Sequence, residues 1–326
     1  MNKPFLSVVT RTKNREIMLS RLMKHLLKQH FVDFEWVIVN DAGVVGGVKK
    51  IVNDATLGGM HVTLIDNPIS NGRSAAANIG VKAAKGKYVI ILDDDDFPRD
   101  EYFAMVHRFL SDNHRYLGVA CWAEITLEQL KDDKIINCGV EGTYSPVPND
   151  LSILSLHTLN IPPCSVVLHR ETFLEVGGYP EDIDCTEDWA FICDFIMKGN
   201  IGVIPDVLVN YSKRINPEGF YKNTTSDKVG MFQHLSDEVV WRNKKIRECL
   251  SNNSVAGLIP ILGSMNMKAQ DIRVTLQKFE VMQDQIDYLK NKYSLISGEL
   301  ANVLGSNSWK ITKPLRKFIA LFRKSI

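Results

Sequence analysis

The chain lacks cysteine in any paired arrangement. Its six cysteines, Cys121, Cys138, Cys164, Cys185, Cys193 and Cys249, form no Cys-x-x-Cys pair and show no metal-ligand spacing. That excludes a zinc site built on paired thiolates and a disulfide-dense scaffold, and predicts reduced, partly buried thiols. Long apolar runs are also absent. A spanning helix needs roughly 20 apolar residues, and the longest candidate, Val255 to Leu262, is short and contains Pro260. The opening Met1-Asn2-Lys3-Pro4-Phe5-Leu6-Ser7 carries no basic stretch followed by an apolar one, so no signal peptide is expected. Charge of one sign is missing overall, at a net +1, and no nucleic-acid partner is expected. Glycine is missing where nucleotide-binding loops need it. Thr10-Arg11-Thr12-Lys13-Asn14 follows the first apolar run where G-x-G-x-x-G would stand, and no G-x-x-x-x-G-K-[ST] loop occurs. A nucleotide bound here must be held another way, with a metal on its phosphates as the expected device.

What is present is alternation. The 326 residues allow one large domain with an appendage, or two domains, and an apolar content of 45% is ordinary for a globular chain. Phe5 to Thr10 reads as a strand. Glu16 to Gln29 places Met18, Leu19, Leu22, Met23, Leu26 and Leu27 at helical spacing. Strands are predicted at Phe34 to Val39, His61 to Ile65 and Tyr88 to Leu92, and a later one at Ile201 to Tyr211. Helices are predicted at Lys49 to Ala55 and Ser74 to Ala84, the latter stopped by Gly86. This order implies an α/β fold with a doubly wound, mostly parallel sheet. Ligands of such sheets bind outside the carboxyl ends of the strands. Thr10-Arg11, Asn40-Asp41, Asp66-Asn67 and Asp93-Asp96 all fall there.

The four aspartates Asp93 to Asp96 directly follow the strand Tyr88-Val89-Ile90-Ile91-Leu92. Unpaired carboxylates do not continue into a core, so the run is expected to face solvent, a cation, or both. Oxygen ligands suit Mg²⁺ or Mn²⁺, which bridge carboxylates to phosphate oxygens. The alternative is a solvated acidic turn with Asp96 or Asp100 as a helix cap.

The N-terminal 215 residues or so resemble the family 2 glycosyltransferases of GT-A fold. The segments that carry the resemblance are Leu6-Ser7-Val8-Val9-Thr10-Arg11-Thr12-Lys13-Asn14-Arg15, Trp36-Val37-Ile38-Val39-Asn40-Asp41, Asn71-Gly72 to Asn78-Ile79-Gly80, Gly86-Lys87-Tyr88 to Asp96, Gly177-Gly178-Tyr179-Pro180-Glu181 and Thr186-Glu187-Asp188-Trp189. Their order and spacing match along with their content. The resemblance implies that Thr10 and Asp41 hold the nucleobase. It places Asp93 and Asp95 at the DxD positions, beside the ribose and the diphosphate-bound metal. It also makes Asp188 the catalytic base. Arg11, Arg73 and Asp94 join Thr10, Asp41 and Asp93 as donor-binding candidates. Glu187 and Trp189 are acceptor-side candidates, the indole offering a flat face to a sugar ring. Two departures stand out: Ala77 occupies a position often held by Arg, with Arg73 one helical turn earlier as the candidate replacement, and Asp41 is followed by Ala42-Gly43 rather than Gly-Ser. The Gln-x-x-Arg-Trp motif of the processive membrane synthases is absent.

Each assignment has a plainer counterpart. Glu187 and Asp188 open an amphipathic stretch and would favour any helix N-terminus; Asp41 would suit a turn. His169 reads as a packed or surface histidine. Lys213-Arg214 reads as a diphosphate contact or a solvated face.

From Ile272 the pattern changes. Ile272, Phe279, Ile286, Tyr293 and Leu300 recur every seven residues, with Thr275, Met282, Leu289, Ile296 and Val303 three residues after each. Such heptads predict a coiled coil, or a long helix folded back on its own domain. Beyond Gly305, Lys310, Lys313, Arg316, Lys317, Arg323 and Lys324 combine with Ile311, Leu315, Phe318, Ile319 and Phe322 at helical spacing. A basic amphipathic segment of this kind suits an anionic membrane surface. It also resembles a tail found on bacterial surface-polysaccharide glycosyltransferases.

The expected organisation is a GT-A domain over 1–215, a helical linker region over 216–267, a coiled-coil-like helix over 268–304 and a basic tail over 305–326. The expected activity is inverting, Mn²⁺- or Mg²⁺-assisted transfer from a nucleotide-diphosphate sugar, UDP favoured, to a glycan or lipid-linked acceptor in O-antigen or capsule synthesis. The protein is expected to be a homo-oligomer through 272–303, in the cytoplasm and peripheral on the inner face of the membrane. Specificity for donor, acceptor and linkage is expected from loops between about Ala120 and Pro163. The competing readings are a catalytically silent scaffold and a nucleotidyltransferase; the latter would want a basic or Gly-rich phosphate loop near Thr10.

Overall fold

The computed structural model describes residues 3–146, 161–215, 221, 228–252, 258–314 and 316. The chain divides into two compact units, Met1–Met265 and Asn266–Ile326.

The first unit opens with the predicted alternation. Strand β1 spans Leu6–Thr12, helix α1 Glu16–Leu26, β2 Phe34–Asp41, α2 Val45–Leu57, β3 His61–Asn67, α3 Arg73–Ala83 and β4 Tyr88–Ile91. β1 lies between β2 and β4, β3 flanks β2, and all three pairings are parallel. Consecutive strands therefore run outward from β1 in one direction, and β4 returns to its other side. The order reverses between β1 and β4, which opens a crevice at their carboxyl ends.

Beyond β4 the sheet becomes mixed. β5 spans Phe97–Pro98, α4 Tyr102–Asp112, β6 Tyr116–Lys131, β7 Lys134–Tyr144, β8 Val166–His169, α5 Arg170–Val176, α6 Glu187–Phe195 and β9 Asn200–Arg214. The strand order is β3-β2-β1-β4-β8-β6-β9-β5, with β7 paired to β6. β8 is antiparallel to β4 and to β6, whereas β9 runs parallel to β6. Much of the segment expected as loops between Ala120 and Pro163 is thus a long β6–β7 hairpin. It turns at Asp132-Asp133, both at positive φ.

Side chains from alternate positions on the strands build two cores. On one face Leu6, Val8, Trp36 and Ile38 pack with Leu19 and Leu22 of α1, Val48 of α2 and Phe103 of α4. On the other, Val9, Val37 and Val89 pack with Ala77 and Val81 of α3, Phe173 of α5 and Phe191 of α6. Each such aliphatic side chain, fully buried, contributes about 1.5–3 kcal/mol. The sheet is therefore held rigidly on both faces, which fixes the ends of β1 and β4 relative to α3 and α6.

Helix α7 spans Lys228–Asn252. Its Trp241 packs edge-on against Trp189 of α6, ring centroids 4.9 Å apart. In the second unit, α8 (Leu258–Gly305) is a 48-residue helix that begins within the first unit's residues and contains the whole predicted heptad stretch. Short α9, Asn307–Ile311, is capped by Ser306, whose Oγ accepts from the Trp309 N–H. The tail residues Leu315 and 317–326 lie outside the described residues, as do the side chains of Ile272, Thr275, Phe279 and Cys249. The other five cysteines are free, and only Cys138 of these is exposed.

Candidate active site

The crevice between β1 and β4 collects the charged residues. Arg11, near the end of β1, donates from Nε and Nη2 to Asp93 Oδ1 (2.6 Å) and Oδ2 (3.0 Å). This fork-on-fork pair fixes both side chains. Arg11 Nη1 also reaches Glu187 Oε1 at 3.2 Å. Arg73, the first residue of α3, donates to both Glu187 oxygens at 2.6 Å. Glu187 is thus shared by two guanidinium groups. Burial would raise its carboxyl, but Arg73 and Arg11 outweigh burial and hold it below its usual range. One carboxylate therefore locks the end of β1 to the starts of α3 and α6.

Beneath lies a second layer. Thr12 Oγ1 donates to Asp94 Oδ2 at 2.7 Å, and Arg15 Nη1 stands 3.1 Å from Asp94 Oδ1. Arg15 and Arg214 each place Nη2 2.5 Å from Asp95 Oδ2. Arg21 donates to Glu128, to Ser212 and to the Asp95 carbonyl. Asp96 Oδ1 accepts the Ser212 N–H at 2.8 Å. Asp94, Asp95 and Asp96 are 0%, 9% and 5% exposed. Of the expected surroundings, solvent, a cation, or both, Asp94 and Asp95 meet guanidinium cations, while Asp96 is buried against the Ser212 N–H. Guanidinium groups let the Asp94 and Asp95 carboxylates enter the protein interior as hydrogen-bonded pairs.

The environments separate the carboxyls. Burial pushes Asp94 up to about 7, helped by the charge of Asp95 and opposed by Arg15. Burial also acts on Asp95, but Arg15 and Arg214 outweigh it and hold that carboxyl well below its usual range. Asp96 is driven far upward, by burial and then by Asp95.

Asp188 sits in the first turn of α6, after Thr186 at φ 62°. Its Oδ1 accepts the Trp189 N–H at 2.8 Å. Burial, then the neighbouring charge of Glu187, pushes its carboxyl up to about 6. A carboxylate tuned toward neutrality at the edge of this crevice has the attributes of a general base. Tyr179 lies near Asp188, and burial together with that charge raises its phenol. Tyr144, the last residue of β7, also feels Asp188 and packs edge-on against Tyr211 at 5.5 Å.

Asp41 ends β2. Its Oδ2 accepts from Ser70 Oγ at 2.5 Å, while its buried Oδ1 has no hydrogen-bond partner. A buried acceptor without a donor is costly, and an N–H from a bound base edge would satisfy it. The loop beyond is strained and tightly packed. Ala42 has φ 61° and Asn14 φ 54°, and Asn14 Oδ1 accepts the Val44 N–H at 2.7 Å. A side chain at Gly43 would meet Asn40 Oδ1 at 2.6 Å and Asn14 N at 2.9 Å. Such strain clusters at functional sites.

Several candidates stand elsewhere than expected. Thr10 is fully buried, and its hydroxyl accepts from Trp36 Nε1 at 2.9 Å, so its side chain is committed to packing β1 on β2. Trp189 is 5% exposed, with Arg242 stacked 4.8 Å from its ring and Trp241 at its edge; it offers no open face to a sugar. Glu187 grips Arg11 and Arg73 and is 1% exposed. Ala77 is buried in the core, and Arg73 does bring a guanidinium to the crevice. Arg214 points inward to Asp95 while Lys213 pairs with Glu141 at the surface. His169 rests against Thr172 as a packing residue. The Gly177-Gly178 loop is pinned by Asn78, whose amide donates to the Tyr179 carbonyl and accepts the Tyr179 N–H. Arg21 is the participant that motif reading passed over; Thr12 and Arg15 lie in the first motif segment without an assigned role, and Arg214, read as a diphosphate contact or a solvated face, instead holds Asp95.

Asp93 and Asp95 offer only carboxylate oxygens, the donor chemistry of Mg²⁺ and Mn²⁺. Their side chains remain 28% and 12% exposed. Among the described residues no group of three or more His, Cys, Asp or Glu is arranged to hold an ion alone. A diphosphate-bound ion needs only one or two protein carboxylates, so the donor chemistry of the pair fits the protein's share of a coordination shell.

The family model for glycosyl transferase family 2 matches residues 7–165. An uncharacterized glycosyltransferase of Methanocaldococcus jannaschii is 30% identical over 75% of this chain and 82% of its own. The poly(ribitol-phosphate) β-N-acetylglucosaminyltransferase TarS of Staphylococcus aureus is 22% identical over 66% of this chain. This chain spans 51%, 62% and 38% of the length of three curated relatives, TarS being the last. TarS residues 1–349, solved with UDP-GlcNAc, superpose with a TM-score of 0.51 at 19% identity, covering 72% of this chain and 66% of that one. A Pyrobaculum calidifontis mannosyltransferase solved with GDP-Man and Mn²⁺ superposes with a TM-score of 0.53 at 17% identity, covering 98% and 86%. These superpositions show a shared fold. The family model and the 30% identity to the archaeal protein establish that the chain belongs to glycosyl transferase family 2.

Proposed function

We propose that this protein is an inverting glycosyltransferase that moves a sugar from a nucleoside-diphosphate sugar to a hydroxyl of a glycan or lipid-linked acceptor. The observation that carries the reading is the pairing, in one crevice, of an arginine-held donor side (Arg11, Arg73, Asp93, Asp41) with Asp188, a carboxyl lifted to about 6.

The acceptor oxygen attacks the anomeric carbon, and the bond from that carbon to the diphosphate oxygen breaks. The electron pair leaves on the diphosphate and the acceptor proton passes to the Asp188 carboxylate. A single displacement inverts the anomeric centre. Asp188 as general base is worth roughly 10²–10⁴-fold. Arg11 and Arg73 place fixed positive charge where the leaving group gathers negative charge. Asp93 and Asp95 would hold a divalent ion, which when bound offsets charge on the diphosphate. Asp41 Oδ1 suits the ring N–H of a uracil or of a guanine. UDP is the favoured donor nucleotide, and the two structural neighbours hold UDP-GlcNAc and GDP-Man respectively.

The likeness to TarS, named for a poly(ribitol-phosphate) acceptor, supports a setting in bacterial cell-surface polymer synthesis. The basic segment 305–326 would hold the protein to the inner face of the membrane; no described helix is long and apolar enough to cross it. The heptad residues 272–303 would join copies of the chain. The test is an Asp188→Asn variant. It is expected to bind donor nucleotide normally and to lose transfer by about 10²–10⁴-fold. Unchanged transfer would remove Asp188 from the reaction, and failure of the intact protein to bind any nucleotide would favour a silent scaffold.

A further inference from the structure

Among the described residues, the long helix α8 carries an apolar seam that nothing covers. Met282, Ile286, Leu289, Tyr293, Ile296, Leu300 and Val303 are all between 43% and 75% exposed. They recur at alternating spacings of four and three, the signature of a seam that another helix fills. The residues flanking it are nearly all basic or neutral: Lys278, Gln283, Gln285, Lys290 and Lys292, with Glu299 as the one acid.

We propose that the seam is filled by the same helix of a second copy running antiparallel, centred between Asp287 and Tyr288. The inference rests on the self-association given above and adds its direction and register. Charge complementarity selects the direction. In a parallel, in-register pair, Glu299 would face the apolar Leu304 of the other copy, Lys278 would face Gln283, and each Tyr293 would stack on its equivalent. In the antiparallel register Lys278 faces Glu299 twice, once from each copy. Gln285 faces Lys292 and Gln283 faces Lys290, so no like charges meet. The core layers pair unlike shapes, Ile286 with Leu289 and Tyr293 with Met282, whose flexible thioether suits an aromatic neighbour. A two-fold axis through the midpoint makes the interface self-complementary.

The test uses the full chain with Cys138→Ser and Cys249→Ser, the first of which removes the thiol exposed among the described residues. Light scattering should give at least twice the 36.8 kDa of one chain. A mixture of Lys278→Cys and Glu299→Cys proteins should cross-link between the two variants under mild oxidation, while neither alone should. Leu300→Cys should not cross-link to itself, because antiparallel copies place those residues ~38 Å apart at 1.5 Å per residue. Lys278→Glu should weaken association several-fold, and Lys278→Glu with Glu299→Lys should restore it. A monomer would overturn self-association and direction together. An oligomer in which Leu300→Cys joins its own equivalent would overturn the direction and leave self-association standing. Either result is independent of nucleotide binding, so failure here is distinct from failure of the transferase reading.

Discussion

Glu187 and Asp188 are adjacent carboxylates with opposite settings, and the difference lies in their partners. Glu187 turns to Arg11 and Arg73, whereas Asp188 accepts the Trp189 N–H and, among the described residues, pairs with no guanidinium. Glu187→Gln removes the like charge that helps burial raise Asp188. The acid limb of the pH–rate profile, expected near 6 for the parent, should therefore move to lower pH, with weaker donor binding as Arg11 and Arg73 loosen. An unshifted limb would mean that Asp188 is not the titrating base. Asp94 has the reverse effect on stability. Its folded value near 7 lies above the unfolded value of about 3.9. The folded state thus binds more protons across that window, and stability falls as pH rises from about 4 to about 7. Thermal unfolding of Asp94→Asn should show a shallower fall over that range. Arg214 works on the other side of the ledger: Arg214→Met leaves buried Asp95 with Arg15 alone and should cost about 3–5 kcal/mol by denaturant unfolding.

At the scale of elements, the first half of the sheet was legible because β1, β2 and β4 are buried on both faces and its helices α1 and α2 are amphipathic. The runs at Leu6, Phe34, His61 and Tyr88 each became a strand, within two residues of expectation at most ends. The β6–β7 hairpin was not read. Its turn uses Asp132-Asp133 at φ 50° and 57° rather than Asn-Gly, and one of its strands is largely exposed, so no apolar run announces it. Asp133→Gly should stabilise the protein by about 1 kcal/mol by relieving the left-handed conformation; destabilisation would argue that the aspartate pair has a role beyond the turn. The arginine layer was hidden for another reason. Arg15, Arg21 and Arg214 are distant in sequence from Asp94 and Asp95 or carry no motif, and only the packing of α1 and β9 against the end of β4 brings them together. Four consecutive aspartates beside an arginine-rich β1–α1 segment were the available signal. Trp189 was misplaced because periodicity marks a buried face without naming what covers it, here Trp241 of α7.

For the whole molecule, the chemistry converges where a parallel half-sheet reverses order, and the mixed half supplies the side that faces Asp188. Asp93 and Asp95 are paired with guanidinium groups, so on the proposed function a donor with its ion would share or displace those pairs. That would make metal and nucleotide binding interdependent. The most direct measurement is calorimetric titration of UDP, dTDP and GDP with and without Mn²⁺, on the parent and on Asp95→Ala. The expected result is binding of one nucleotide that strengthens at least tenfold with Mn²⁺, with that gain lost in Asp95→Ala. A folded parent protein that binds none of the three, or binds one equally well without the ion and with Asp95 removed, would contradict a metal-assisted transferase.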